Sequence, residues 1–289
     1  MLVTIGLPFA NNERTLPLAI RSIFAQTHSD WELILVEDGS TDGSAELLEG
    51  IRDSRVRLIR DTINRGLPTR LNQIARLASG NYLARMDADD VMHPTRIQQQ
   101  CELLERDPSI DFIATAAYVI DGENRVLRLK GTGAAPHGAA ASLDHGCWIH
   151  PTAFARTSWF LANMYDESLD RSQDFELWVR VYGHSRFAKI REPLFFYREI
   201  GVFNLNNYLA TKRADRRIIR RYGPAIVGRA RTELMVLETR LKSGLYRVMS
   251  LLNAENVLLT LRSATIDNAQ RATGEALLRL LDATSVPGW

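Results

Sequence analysis

The chain has 289 residues, 45% hydrophobic and 24% charged, which fits one large soluble domain or one domain with an appendage. Its two cysteines, Cys101 and Cys147, exclude a disulfide framework and a CxxC pair and suit a reducing compartment. No apolar run is long enough to cross a bilayer, and Met1 to Ala10 lack the basic start and long apolar core of a signal peptide, so a cytoplasmic location is expected. The net charge of +2 conceals an asymmetry: residues 1–203 hold 22 Lys and Arg against 27 Asp and Glu, whereas residues 204–289 hold 14 against 7.

Val3 to Leu7 reads as a strand ended by Pro8, and Asn11-Asn12 are placed to cap a helix carrying Leu16, Ile20, Ile23 and Phe24 on one face. Glu32 to Val36 reads as a second buried strand. It runs into the turn-rich segment Glu37 to Ser44, which opens a short helix. Val56 to Arg60 is a third strand, and Pro68 starts a helix through Leu71, Ile74, Ala75 and Ala78. Tyr82 to Met86 is the fourth. The alternation of strand and helix implies crossovers and a mostly parallel sheet.

That fourth strand ends in Asp87, Asp89 and Asp90, three carboxylates within four residues. Such a cluster repels itself and resists burial, and a divalent cation compensates it most directly. Hard Mg²⁺ or Mn²⁺ takes oxygen ligands and shares positions with phosphates. Ligands of open α/β sheets sit beyond the carboxyl ends of the strands. A metal and diphosphate site is therefore expected there; a solvated acidic turn before the next helix is the competing reading.

Beyond it, the pattern gives a helix from Pro94 to Arg106, a strand within Ile110 to Ile120, and a turn at Asp121 to Asn124. Gly131 to Gly146 is rich in Gly and Ala and reads as a mobile loop; Asp174 to Tyr182 reads as a helix with Phe175, Trp178 and Val179 inward. From about Asn204 the chain reads as consecutive helices, interrupted near Gly223-Pro224 and Gly244.

Four segments in this order resemble family 2 glycosyltransferases, which have the GT-A fold: Leu7-Pro8 with Asn11-Asn12-Glu13; Val36 to Asp42; Ala84 to Asp90; and Gln173 to Arg180. The resemblance covers about residues 2 to 200. It implies an inverting, metal-dependent transfer of a sugar from a nucleotide-sugar, expected to be a UDP-sugar, to a glycan or lipid-linked acceptor in polysaccharide biosynthesis. It also implies a GT-A catalytic domain over 1–203, with a nucleotide-binding part at 1–90 and an acceptor-binding part at 91–203. Residues 204–289 would form a helical extension.

On this resemblance the nucleotide-sugar would meet Pro8, Phe9, Asn11, Glu13, Asp38, Arg65, Arg70, Asp87 and Ala88. Asp38 would recognise the base, accepting a pyrimidine N–H. Arg65 and Arg70 would face diphosphate or the base edge, against the competing reading of a solvated helix start. Asp87 would lie near the ribose and Asp89 would bind Mn²⁺ or Mg²⁺. Asp174 would be the catalytic base, taking the proton of an attacking acceptor hydroxyl. His150, Trp148 and Trp178 would lie on the acceptor side, although a buried core is the commoner fate of a Trp. Glu37, Phe9-Ala10, Gln173 and Ile200 depart from the usual pattern, where Asp, Thr-Tyr, Glu and His are frequent.

Lys212, Arg213, Arg216, Arg217, Arg220 and Arg221 recur at helical spacing. A basic amphipathic helix can lie on the inner face of an anionic membrane. A basic face packed on the catalytic domain through its apolar side, or a homodimer contact, competes with that. No interleaved aromatics accompany the charges, so no nucleic-acid partner is expected. A nucleotidyltransferase and a catalytically silent nucleotide-sugar-binding module are the alternative functions. The first usually shows a Gly-rich loop with Lys or Arg after the first strand, absent here.

Overall fold

The computed structural model describes residues 1–135, 138–143, 148–199, 204–252 and 266–289. Strand β1 (Val3–Phe9) is buried along its whole length and has a parallel partner on each side. It pairs with β2 (Trp31–Glu37) from Val3↔Trp31 to Phe9↔Glu37. On its other side lies β4 (Tyr82–Arg85), from Val3↔Tyr82 to Gly6↔Arg85. β3 (Val56–Ile59) flanks β2 in the same sense. Burial on both faces explains why β1 and β2 are near-continuous apolar runs, whereas β3 at the sheet edge is only partly buried.

The sheet continues through β8 (Phe154–Arg156), β6 (Phe112–Ile120), β9 (Phe187–Arg198) and β5 (Val91–Met92), with β7 (Val126–Lys130) paired to β6. β8, β7 and β5 run antiparallel to their neighbours, while β9 is parallel to β6. The fold is therefore α/β with a mostly parallel sheet, as the sequence predicts. The chain turns from the β1–β2–β3 side to β4, so the carboxyl ends of β1, β2 and β4 converge at a topological switch point.

The early helices sit where periodicity puts them: α1 (Leu16–Phe24), α2 (Ser44–Leu48), α3 (Leu67–Leu77) and α4 (Arg96–Arg106). Capping of α1 differs from expectation. Its N-cap is Thr15 without a side-chain bond, and the backbone carbonyl of Asn12 receives the N–H groups of Thr15 and Leu16. A four-residue helix, α5 (Ala139–Ser142), lies within the Gly- and Ala-rich segment, whose residues 136–137 and 144–146 fall outside the described set. α6 (Thr157–Ala162) and α7 (Gln173–Val181) follow.

The C-terminal third holds α8 (Leu205–Val227), α9 (Arg229–Leu251) and α10 (Asn268–Asp282). The breaks differ from those expected. α8 runs through Gly223-Pro224 and ends at Gly228, whose φ of +79° turns the chain into α9, and Gly244 lies inside α9. Pro224 forfeits one backbone bond without ending the helix. Gly223 is there for contact: a Cβ would stand 2.7 Å from the Thr232 hydroxyl of α9.

Ile218 and Ile219 of α8 pack with Phe175 and Val179 of α7 and Val236 of α9. Part of the basic face of α8 is engaged locally, with Lys212 on Asp215 at 2.7 Å, Arg220 on Glu233 at 3.6 Å and Arg221 on Asp166 at 3.9 Å. At the far end, Leu278 and Leu281 of α10 pack against Leu18, Val91, Tyr118 and Phe196. No helix among the described residues is long and apolar enough to cross a membrane.

Candidate active site

At the switch point lies a cleft of about 180 Å³ lined by Pro8, Phe9, Ala10, Asn12, Asp38, Leu67, Asp87, Ala88 and Asp89. Each segment leaves the carboxyl end of a parallel strand, except Leu67 at the head of α3. Asn11 and Glu13 staple the two loops that form the mouth. Asn11, at a φ of +57° that Asn tolerates better than most residues, accepts Thr41 N–H at 2.8 Å and the Thr41 hydroxyl at 3.1 Å. Glu13 receives Gly43 N–H at 3.2 Å, and its own N–H donates to Asp42 at 3.1 Å.

Asp38 is held by three donors. Arg65 N–H and Arg70 Nε reach Oδ1, each at 2.7 Å, and Gly66 N–H reaches Oδ2 at 3.1 Å. Oδ2 thus keeps acceptor capacity at the cleft wall. Gly39 permits the turn: its φ is +73°, and a Cβ would meet the Asn64 backbone nitrogen at 2.7 Å. Arg70 is 1% exposed and fully engaged, with further bonds to Gln73 at 3.0 Å and the Ile63 carbonyl at 2.6 Å and an ion pair to Asp61 at 3.1 Å. Its visible role is to hold Asp38. Arg65 is half exposed at the rim and pairs with Asp61 at 3.0 Å. Glu37 turns away from the cleft to Arg60 at 3.2 Å.

Asp87, Asp89 and Asp90 each offer an oxygen within 4.8 Å of the others. Asp87 pairs with Arg85 at 2.6 Å. Asp90 is 1% exposed; its Oδ1 accepts Arg198 N–H at 2.7 Å, and its buried Oδ2 has no partner among the described residues. Burial first, then the charge of Asp87, raises the Asp89 carboxyl above the usual range. Burial, then Asp87 and Asp89, raises Asp90 well above it. Crowded carboxylates with an orphaned buried oxygen fit a divalent cation with hard oxygen ligands. Arg198 fixes the cluster, donating from Nε to the Asp89 carbonyl and from Nη1 to the Asp121 carbonyl, both at 2.6 Å. The sequence places Asp90 in the acidic cluster expected to hold a cation, without a role of its own, and assigns Arg198 none. For Asp90 the signal is its place in Asp87-Ala88-Asp89-Asp90; Arg198 lies in Tyr197-Arg198-Glu199-Ile200, a segment resembling the family's closing one, but nothing local announces its contact with Asp90, 108 residues away.

Asp174 stands in the first turn of α7, half-buried, with no hydrogen bond or ion pair among the described residues. Burial pushes the Tyr165 phenol up, and the charges of Asp174 and Asp87 add to it, so both carboxylates lie within electrostatic reach of one side chain. The residue opening α7 is unusual. Ser172 is buried, left-handed at a φ of +59°, and its hydroxyl donates to Asp215 of α8 at 2.7 Å. Asp215, 1% exposed, also takes Lys212. α8 grips α7 a second time, where Tyr222 OH donates to the buried Glu176 at 2.5 Å.

The three acceptor-side residues lie in the interior. His150 is bonded through Nε2 to Tyr165 OH at 2.8 Å, and burial, then the charge of Arg85, holds its pKa well below the ordinary value. Trp148 and Trp178, each 5% exposed, pack their rings on Phe112 and Phe187. Ile200 lies outside the described residues.

Comparison with known proteins agrees with this geometry. Among curated relatives, EpsE of Bacillus subtilis, a glycosyltransferase by name, is 29% identical over 75% of this chain and 82% of its own. The Escherichia coli enzyme WfgD, named UDP-Glc:alpha-D-GlcNAc-diphosphoundecaprenol beta-1,3-glucosyltransferase, is 26% identical over 65% of this chain and 73% of its own. Among solved structures, Staphylococcus aureus TarS 1-349 in complex with UDP-GlcNAc superposes with a TM-score of 0.62 at 15% identity, covering 95% of this chain and 79% of that one. The longer TarS chain is covered over 40% of its length. The fold is thus that of TarS. Residues 4–169 match the profile described as Glycosyl transferase family 2, and the chain belongs to that family of glycosyltransferases.

Proposed function

We propose that the protein transfers a sugar from a UDP-sugar, with inversion, to a lipid-linked or glycan acceptor at the cytoplasmic membrane face. The observation that carries the reading is the cleft itself. It joins a held Asp38 and a crowded carboxylate cluster at the strand ends, while Asp174 stands at the head of α7 with no partner among the described residues. UDP and UDP-GlcNAc complexes of TarS and the lipid-diphosphate acceptor in the WfgD name favour the donor and acceptor classes. Asp38 would take the base N–H, with Pro8 and Phe9 walling the base. Asp174 would remove the proton of the acceptor hydroxyl as its oxygen attacks the anomeric carbon and the nucleoside diphosphate departs. Mn²⁺ or Mg²⁺ on Asp89, with Asp87 and Asp90, would supply charge stabilisation for that leaving group. The test is nucleoside diphosphate release from a nucleotide-sugar panel with Mn²⁺, with and without a lipid extract as acceptor source. Release from one donor, accelerated by extract, supports transfer. Donor binding with no release under either condition marks a silent module, and pyrophosphate from a nucleoside triphosphate marks a nucleotidyltransferase.

Two further expectations follow from the site. Mn²⁺ alone should raise the melting temperature by several degrees, since a ligand at one hundred times its dissociation constant adds about 2.7 kcal/mol. Asp89→Asn should lose most of that shift. The pH dependence has a definite sign. Asp89 and Asp90 have folded pKa values above their unfolded ones. These two carboxyls therefore hold extra protons in the folded state, and their contribution to metal-free stability is lost as pH rises past the ordinary carboxylate range; saturating Mn²⁺ should flatten the wild-type profile relative to metal-free protein. A melting curve indifferent to Mn²⁺ would remove the metal from the reading.

The second expectation concerns Asp215 as a positioning residue, acting on Asp174 through Ser172. Asp215→Asn should lower kcat about tenfold, an effect of roughly 1.4 kcal/mol, with donor KM unchanged. Restoration by Asp215→Glu would separate positioning from general destabilisation; a fall in melting temperature with unchanged kcat would leave the residue purely structural.

A further inference from the structure

The outward face of α9 is aliphatic. Thr232, Val236, Ser243 and Tyr246 are its buried positions. On the opposite side Leu234, Leu237, Leu241, Leu245 and Val248 are 46%, 48%, 66%, 49% and 53% exposed. Their spacing of three and four residues sets them in one row along the helix. Isolated exposed leucines are ordinary, but a continuous row on one helix marks an interaction surface. Cations flank it: Arg240 and Arg247 on one edge, Arg231 and Lys242 on the other, with Glu233 and Glu238 as the acids. Residues 205–251, the α8–α9 pair, carry eleven Lys and Arg against three Asp and Glu, net +8 in a chain of net +2.

We propose that this face of α9 docks the protein on an anionic lipid bilayer, with the leucine row inserted at the headgroup level and the flanking arginines and lysines on lipid phosphates. Charge decides between occupants. A second copy pairing along the same row would bring two net-positive flanks together, and the seam running Leu234, Leu237, Leu241 would meet Gly244 where it needs bulk. A bilayer with anionic headgroups complements both features, because the apolar row enters the acyl boundary while the cations stay in the phosphate layer. The surface differs from the basic face of α8 singled out in the sequence, several of whose cations have partners within the protein; of the cations flanking the α9 row, Arg231 also has one, Glu238 at 3.7 Å. The docking does not depend on the donor assignment. It deepens the proposed function only in bringing the cleft to a lipid-linked acceptor.

The test is co-sedimentation of the full chain with vesicles of phosphatidylcholine and phosphatidylglycerol in equal parts, and with phosphatidylcholine alone. The expected result is binding to the anionic vesicles that weakens as salt rises. Leu241→Ser with Leu245→Ser should weaken it at least tenfold, with melting temperature and release of nucleoside diphosphate from soluble donor unchanged. Arg240→Gln with Arg247→Gln should remove the preference for anionic lipid. Absence of binding, or a double leucine variant that binds like wild type, would overturn the proposal. A dimer in sedimentation velocity that the leucine variant converts to monomer would overturn it too, in favour of a second copy. Vesicle binding in a protein that releases no nucleotide from any donor would undo the transferase reading and leave this one standing.

Discussion

Asp174→Asn is expected to lower sugar transfer by about 10²- to 10⁴-fold, the usual contribution of a positioned general base. The amide keeps the shape of the side chain and cannot accept the acceptor's proton at neutral pH. Donor affinity should hold within a factor of two, because Asp174 does not line the cleft beside Asp38 and Asp89. Stability should change little. Asp174 has no bond to lose among the described residues, and its remaining contribution is the attraction between a carboxylate and the N-terminus of α7, about 0.3–1 kcal/mol. Steady-state rates with the matched acceptor, beside a calorimetric titration with UDP, check both halves. Full activity in the variant would sink the assignment of the base; lost activity together with lost UDP binding would point to a misfolded site instead.

Arg70→Ala carries the largest expected effect on stability. Its guanidinium joins Asp38, Asp61, Gln73 and the Ile63 carbonyl from a position 1% exposed. Truncation leaves Asp38 with two backbone donors and the Ile63 carbonyl without its partner. Removing one member of a buried pair costs about 3–5 kcal/mol; because the Asp38 side chain keeps 10% exposure, the low end, about 3 kcal/mol, is expected. For a chain of this size that is roughly 6–12 °C in melting temperature. UDP affinity should fall as well, since the carboxylate proposed to read the base loses the group that aims it. Arg70→Lys should recover only part of either quantity, because an ammonium cannot span these acceptors as a planar fork does. A melting temperature within 1 °C of wild type, with unchanged UDP affinity, would show that Arg70 does not organise the site.

The two variants mark a boundary in what one-dimensional reading can see. Asp38, Asp87 and Asp89 are visible because each follows an apolar run that can only be a buried strand, and parallel strands deliver their carboxyl ends to one edge. Arg70 follows a helix start and reads equally well as a solvated cation. Its inward turn exists because Asp38, 32 residues earlier, needs a partner in the interior. Trp148 and Trp178 are similar: each has the chemistry to stack on a sugar, but Phe112 and Phe187, from two other strands, take up their faces.

Hydrophobic period, the alternation of strand and helix and the family resemblance were already contained in the chain, since burial on both faces leaves continuous apolar runs and the acidic turns follow them directly; the order of the strands in the sheet was not. Nor was long-range pairing. Arg198 on Asp90, Ser172 on Asp215 and the close approach of Gly223 to Thr232 join residues brought together only by packing. The same holds for the direction a helix faces. The period of α9 marks a row of leucines as one stripe, which in most helices is the buried one. Only its packing turned that row outward: Val236 joins the α7–α8 core, Thr232 meets Gly223 and Tyr246 packs its ring on Tyr208 of α8, which fixes the opposite face as the exposed one.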